Sequence, residues 1–249
     1  MFFDKQARTE KRYMQVGKAR IHYRTVGSGP PLVLVHGLAG STRWWNRNIA
    51  CLAEHFQVYA VDLSEFGDRR FRPRFVLSQA ARYLACWLDE LGIARASFIG
   101  HSMGGRIVAE FAAEHPHRVE RLVLVSAPIV PFGHGYLRQF WGMLLGFLRI
   151  PFSLFQVLLY DTLHTGIVPV LSVGRELLKS DLEDRIGDLQ TPMLIIWGVQ
   201  DTIVPVKLGH ALHQRITGSQ FILIEGAAHV PMWENPEEFN RVALAYLLA

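Results

Sequence analysis

The residues best placed for chemistry begin at Ser102. It is the centre of the pentad Gly100-His101-Ser102-Met103-Gly104, where an apolar run from Ala96 to Ile99 gives way to a helical pattern from Met103 to Glu114. A serine on so sharp a strand-to-helix turn has a strained backbone, and its hydroxyl stands clear of its own main chain. Small neighbours are needed there because strand and helix pass too close for a Cβ. On its own the pentad also fits an ordinary strand–turn–helix junction. As a nucleophile, the serine needs a base, and the base needs an orienting acid.

Two later residues answer that need. Asp201 follows the apolar run Pro192 to Trp197, and His229 follows the run Gln220 to Ile224. Each alone reads equally well as a turn aspartate or a loop histidine. Taken together, serine, acid and histidine each lie just past the carboxyl end of their own predicted strand, on one sheet edge. Another turn, His36-Gly37-Leu38-Ala39-Gly40, ends the apolar run read from Pro31 to His36. Backbone N–H groups in such a turn can face a developing oxyanion, and the two donors are assigned to Leu38 and Met103. His36, Gly37, His101 and Val230 flank these groups and are candidate substrate contacts, with Leu144 and Leu158 added from an apolar insertion.

The elements that must position these groups alternate along the chain. Tyr13–Val16 and Arg20–Val26 read as a hairpin at one sheet edge, joined at Gly17-Lys18. The unbroken Leu-Val-Leu-Val run at 32–35 suits a strand buried on both faces of a parallel sheet. Ser41 or Thr42 caps a predicted helix through Ala53. Further strands are predicted at Phe56–Val61 and Arg121–Val125, and further helices at Phe75–Leu91, Val206–Ile216 and Pro236–Leu248. Strands alternating with helices predict an α/β fold, a mainly parallel sheet with helices on both faces.

Pro128 to Leu189 breaks this rhythm with apolar, helix-like sequence. It divides the chain into a core of 1–127 and 190–249 and a helical cap of 128–189 lying above the carboxyl edge, where open α/β sheets bind ligands. Phe132, Phe140, Trp141, Met143, Leu144, Phe147, Phe152, Phe155, Leu158 and Leu159 crowd the insertion. Packing within the cap and down onto the site is expected to cover most of them, the remainder lining an acyl pocket. Within it, Gln139 to Tyr160 carries one charge, Arg149, and is long enough to span a bilayer. Arg149 and Pro151 near its middle point instead to two short helices joined at Arg149-Ile150-Pro151, with no stable membrane insertion.

Half of the 249 residues are hydrophobic and 19% are charged, which excludes a disordered or fibrous chain. The net charge of +4 is spread over scattered arginines. The densest run, Arg69 to Arg74, reads as a solvated loop, and no nucleic-acid motif accompanies it. Cys51 and Cys86 lie in helix-like segments with no metal-type neighbours and read as buried free thiols. The N-terminus shows no apolar signal region, which points to a cytoplasmic location.

His-Gly-Leu-Ala-Gly-Ser at 36–41, Gly-His-Ser-Met-Gly-Gly at 100–105, Gly-Val-Gln-Asp at 198–201 and Gly-Ala-Ala-His-Val-Pro-Met-Trp-Glu at 226–234 resemble the α/β-hydrolase superfamily, especially its small capped esterases and lipases and its carbon–carbon bond hydrolases. The resemblance implies an eight-stranded sheet and a triad of Ser102, Asp201 and His229. One loop departs from it. Asp62-Leu63-Ser64-Glu65-Phe66-Gly67-Asp68-Arg69 lacks the second glycine and the serine that many relatives carry after this strand. Asp62 reads as a structural turn residue, not as the triad acid.

These readings converge on a serine hydrolase of esters with small to medium hydrophobic acyl groups, using neither metal nor cofactor and existing as a monomer or homodimer. A carbon–carbon bond hydrolase acting on a diketone-type substrate keeps the same triad. Trp44-Trp45-Asn46 and Arg106 partly resemble the polar groups such a substrate needs. A non-catalytic small-molecule receptor on the same scaffold is the third reading.

Overall fold

The computed structural model describes residues 9–16, 19–62, 77–130, 142, 146, 150–165, 173–174, 176–177, 186 and 189–249. Eight strands form one sheet: β1 (Glu10–Val16), β2 (Ala19–Val26), β3 (Pro31–Val35), β4 (Gln57–Asp62), β5 (Ala96–His101), β6 (Val119–Val125), β7 (Met193–Gly198) and β8 (Gln220–Ile224). Their spatial order is β1-β2-β4-β3-β5-β6-β7-β8. β1 and β2 form the antiparallel edge, β2 pairs antiparallel with β4, and every later pairing is parallel.

The central strands are apolar throughout because both faces are covered. Leu32, Val33, Leu34 and Val35 of β3 are fully buried, alternate residues falling into two separate core clusters on opposite faces of the sheet. One cluster packs α2 (Leu77–Glu90), α3 (Met103–Glu114) and α5 (Val206–Arg215) against the sheet. The other packs α1 (Ile49–Leu52) and α7 (Pro236–Leu247). α7 starts where sequence chemistry dictates: the Asn235 side chain caps the Glu238 N–H, Pro236 opens the first turn, and Glu237 and Glu238 sit at the positive end of the helix dipole.

The expected single helix from Ser41 to Ala53 is two pieces. Ser41 caps a 3₁₀ turn over Thr42–Trp45, and α1 begins only at Ile49. Tertiary anchors override helix propensity here. Trp44 and Trp45 are adjacent and both buried, while the Asn48 amide donates to the Met232 carbonyl and to Asn240 Oδ1. A one-turn helix, α6 (Pro231–Glu234), is too short to show periodicity and was not expected. Cys51 and Cys86 are free and half-buried, not buried.

The described residues between β6 and β7 contain α4 (Phe152–Thr165), and Gly142 and Gly146 are also helical. This agrees with a helix restarting after Pro151. The expectation that packing covers most of these side chains does not hold within α4. Leu154 is buried, but Phe152 and Leu163 are 74% and 73% exposed, and Phe155 and Leu159 are exposed beside them. Leu154 belongs to the core cluster that holds Val230 and Trp233, and Val157 and Leu158 pack against it, so one stripe of the helix is covered while Phe152, Phe155, Leu159 and Leu163 are exposed. No helix among the described residues is long and apolar enough to cross a membrane. Phe132, Phe140, Trp141, Met143, Leu144, Phe147, the Gly17-Lys18 turn and Arg69–Arg74 lie outside the described residues.

Candidate active site

Four loops meet at the carboxyl edge of β3, β5, β7 and β8. Ser102 connects β5 to α3 with φ +50° and ψ −117°, left-handed backbone that L-residues rarely adopt. The turn is held because the Ser102 N–H donates to the Val125 carbonyl at 2.8 Å and its carbonyl accepts from the Arg106 N–H. Close approach explains the glycines. A Cβ on Gly100 meets Gly104 O and Gly105 Cα at 2.6 Å, and one on Gly104 collides with the carbonyls of Val35 and His36.

His229 stands opposite. Its Nε2 lies 3.2 Å from Ser102 Oγ and its Nδ1 lies 2.9 Å from Asp201 Oδ2. A carboxylate can only accept, so Nδ1 carries the proton and Nε2 is the acceptor facing the serine hydroxyl. Asp201 has no room to swing. Its side chain is fully buried, and Oδ1 accepts from the N–H groups of Ile203 and Val204 at 3.0 and 2.9 Å. A relay of serine hydroxyl, neutral imidazole and fixed carboxylate can make an alkoxide-like nucleophile and shelter the imidazolium that results.

The chain matches the alpha/beta hydrolase fold family model over residues 30–165. The chain belongs to the alpha/beta hydrolase fold family. This hydrolase is 29% identical to the pimeloyl-[acyl-carrier protein] methyl ester esterase of Pectobacterium carotovorum, over 93% of this chain and 100% of that one. It is 31% identical to a 2-hydroxy-6-oxononadienedioate/2-hydroxy-6-oxononatrienedioate hydrolase of Paraburkholderia phymatum, over 92% of this chain and 91% of that one. Among solved structures it superposes on a bacterial membrane phospholipase A with a TM-score of 0.83 at 25% identity, covering 97% of this chain and 86% of that one.

In the hydrolase, Met103 is the first residue of α3, so its N–H is an orphan donor at the positive end of the helix. Leu38 lies in the turn closed by Gly40 N–H to Gly37 O at 3.1 Å. Gly37 touches the serine, for a Cβ there meets Ser102 Cβ at 3.1 Å and His101 Nδ1 at 2.7 Å. The His36 ring points elsewhere: Nδ1 donates to the Gly37 carbonyl at 2.8 Å, and Nε2 is 3.5 Å from Asp62 Oδ1. Asp62 therefore faces His36 and His22, and the carboxylate at His229 Nδ1 is that of Asp201.

His101 is buried beside His229, the rings 4.9 Å apart, and burial drives its pKa well below 6.5, with the second imidazole close by adding to the effect. Val230 is buried, and Leu158 packs half-buried on the cluster that holds Leu154, Val230 and Trp233. Leu144 lies outside the described residues. Trp45 packs on Phe239, Trp44 on His101, and Asn46 accepts from Arg24, while Arg106 is buried in α3. Among the described residues, no group of three or more His, Cys, Asp or Glu side chains could hold a metal ion.

Two carboxylates close to the site were not assigned a role from sequence. Glu234 accepts from the N–H groups of Ala228 and Val230. Asp161 of α4, 4% exposed, accepts from Ser41 Oγ and from Arg43, both at 2.7 Å. Their partners are backbone groups or distant residues, and no spacing rule encodes either.

Proposed function

We propose that the protein is a serine hydrolase of carboxylic esters with small to medium hydrophobic acyl groups. The observation that carries this reading is the unbroken hydrogen-bond sequence from Ser102 Oγ through His229 to Asp201, set on the strained Ser102 backbone. Ser102 Oγ attacks the acyl carbon while His229 Nε2 takes its proton. The N–H groups of Leu38 and Met103 hold the oxyanion, and Asp201 stabilises the imidazolium. His229 then protonates the departing alcohol, and a water deprotonated by His229 releases the acid. The segment 128–189 acts as a cap whose inner apolar side chains, Leu158 among them, set acyl length. The reaction needs no metal or cofactor, and the protein works in the cytoplasm as a monomer or homodimer.

The ester relative supports this reading. The second reading, hydrolysis of a diketone-type carbon–carbon bond, draws support from the 2-hydroxy-6-oxo acid hydrolase relatives. Against it, Asn46 is committed to Arg24 and Trp45 to Phe239, so neither supplies a polar wall. The deciding experiment is a p-nitrophenyl ester series from acetate to octanoate run beside a 2-hydroxy-6-oxo dienoate. The ester reading expects kcat/KM for the best ester to exceed that for the dienoate by about a hundredfold or more, the scale on which a site built for one substrate class rejects another. The opposite order would transfer the protein to the second class.

A further inference from the structure

The peptide of His229 is gripped from two sides by groups outside the triad. We propose that Glu234 and His101 are positioning residues that fix the main chain of His229, so that its imidazole meets Ser102 without rearrangement. This rests on the reading of His229 as the base.

Three consecutive backbone groups carry the inference. Glu234 Oε2 accepts from the N–H of Ala228 at 2.8 Å and from the N–H of Val230 at 3.0 Å, the residues on either side of His229. His101 Nε2–H donates to the carbonyl of His229 itself at 2.8 Å. The loop thus has a polar partner before, at and after the histidine. These hydrogen bonds are partly buried, where breaking one without a replacement partner is costly, so they favour one conformation of the loop. Glu234 reaches back because Pro231 opens the one-turn helix α6, which ends on the glutamate.

The two supports differ in charge. His101 is buried in a pocket that disfavours its cation. Donation from Nε2 leaves Nδ1 bare, directed at Gly37. His101 is therefore a neutral single donor. Burial raises the Glu234 carboxyl above the usual range, while its two N–H partners and His229 pull it back. When ionised, it supports the imidazolium formed as Ser102 gives up its proton. A displacement of well under an ångström between nucleophile and base is enough to slow proton transfer strongly, and a cradle of this kind prevents it.

The test reads nucleophile activation without a known substrate. A fluorophosphonate phosphonylates an activated serine, and its maximal rate kinact separates from its binding constant KI. For Glu234→Ala the expected result is a kinact lower by about 10- to 100-fold, the scale for loss of a group that orients a catalytic residue, with KI within about twofold. Glu234→Gln keeps an acceptor oxygen but no charge. It should recover at least about a third of the wild-type kinact, with the acid limb of its pH profile moved to lower pH, because the imidazolium loses a negative neighbour. Thermal melts of all variants report folding. A folded Glu234→Ala reacting within twofold of wild type overturns the proposal, as does a Gln variant no faster than the Ala variant. If the Ala variant does not fold, an unmoved acid limb in Glu234→Gln overturns it alone. A wild-type protein that never phosphonylates at Ser102 overturns the nucleophile assignment, and the proposal with it.

Discussion

The loop carrying His229 and the turn carrying Leu38 face the same serine but are anchored differently. The His229 loop is tied to the core. Asp201 comes from the end of β7, His101 from the end of β5, and Glu234 lies only five residues further along the chain. The turn at 37–40 continues into Ser41 and Arg43, and these are held by Asp161, a residue of α4 some 120 positions away. The proposed base is thus built into the sheet edge, whereas the segment bearing the proposed oxyanion donor Leu38 leans on the insertion between β6 and β7. A displacement of α4 should reach the oxyanion side of the site and leave the base in place.

The sharpest way to break this comparison is to cut the distant anchor. In Asp161→Ala, Ser41 loses its acceptor and Arg43 its ion pair. The expected outcome is a kcat for butyrate esters about tenfold lower, a fraction of the 10²–10³ that loss of a whole oxyanion donor costs, with the acid limb of kcat/KM unmoved. Steady-state kinetics across pH check both parts. A shifted acid limb would mean that α4 also governs the base, and the contrast between the two loops would fail.

A smaller effect sharpens the other half. His101 titrates well below 6.5 in the folded protein because burial disfavours its cation. The unfolded chain therefore binds a proton that the folded chain refuses, and folding stability is lost as pH falls below about 6.5. His101→Gln keeps a side-chain donor toward the His229 carbonyl but cannot titrate. Its unfolding free energy should fall less steeply between about pH 6.5 and 5, by up to about 1.4 kcal/mol per pH unit, the value of one proton. Denaturant melts at these pH values measure the slope. Equal slopes in wild type and variant would show that His101 does not carry this linkage.

Much of the core was legible because its code is local. Leu-Val-Leu-Val in β3 and the apolar ends of β5, β7 and β8 demand burial on both faces, and glycines at 100 and 104 demand close approach. Ser102, Asp201 and His229 were readable because each follows its own strand. What was not legible depends on partners far away or on backbone. Trp44 and Trp45 split a predicted helix because both indoles are buried, and Asn48 answers to Met232 and Asn240. Glu234 carried no local signal, because its two donors are backbone N–H groups of the preceding loop. Ser41 read as a helix cap, which it is, but its hydroxyl proton goes to Asp161.

The central claim, that Ser102 is the nucleophile, is tested most directly by trapping the covalent intermediate. Turnover of p-nitrophenyl butyrate is quenched in acid within the first turnover, and the protein is digested and mapped by mass spectrometry. The account predicts one butyryl group on the peptide containing Ser102, matched by a burst of p-nitrophenol of about one equivalent. It also predicts that Ser102→Ala gives neither, with turnover lower by about 10⁴-fold or more. A butyryl group on another residue, or a folded Ser102→Ala protein keeping more than about a tenth of the wild-type rate, would contradict it.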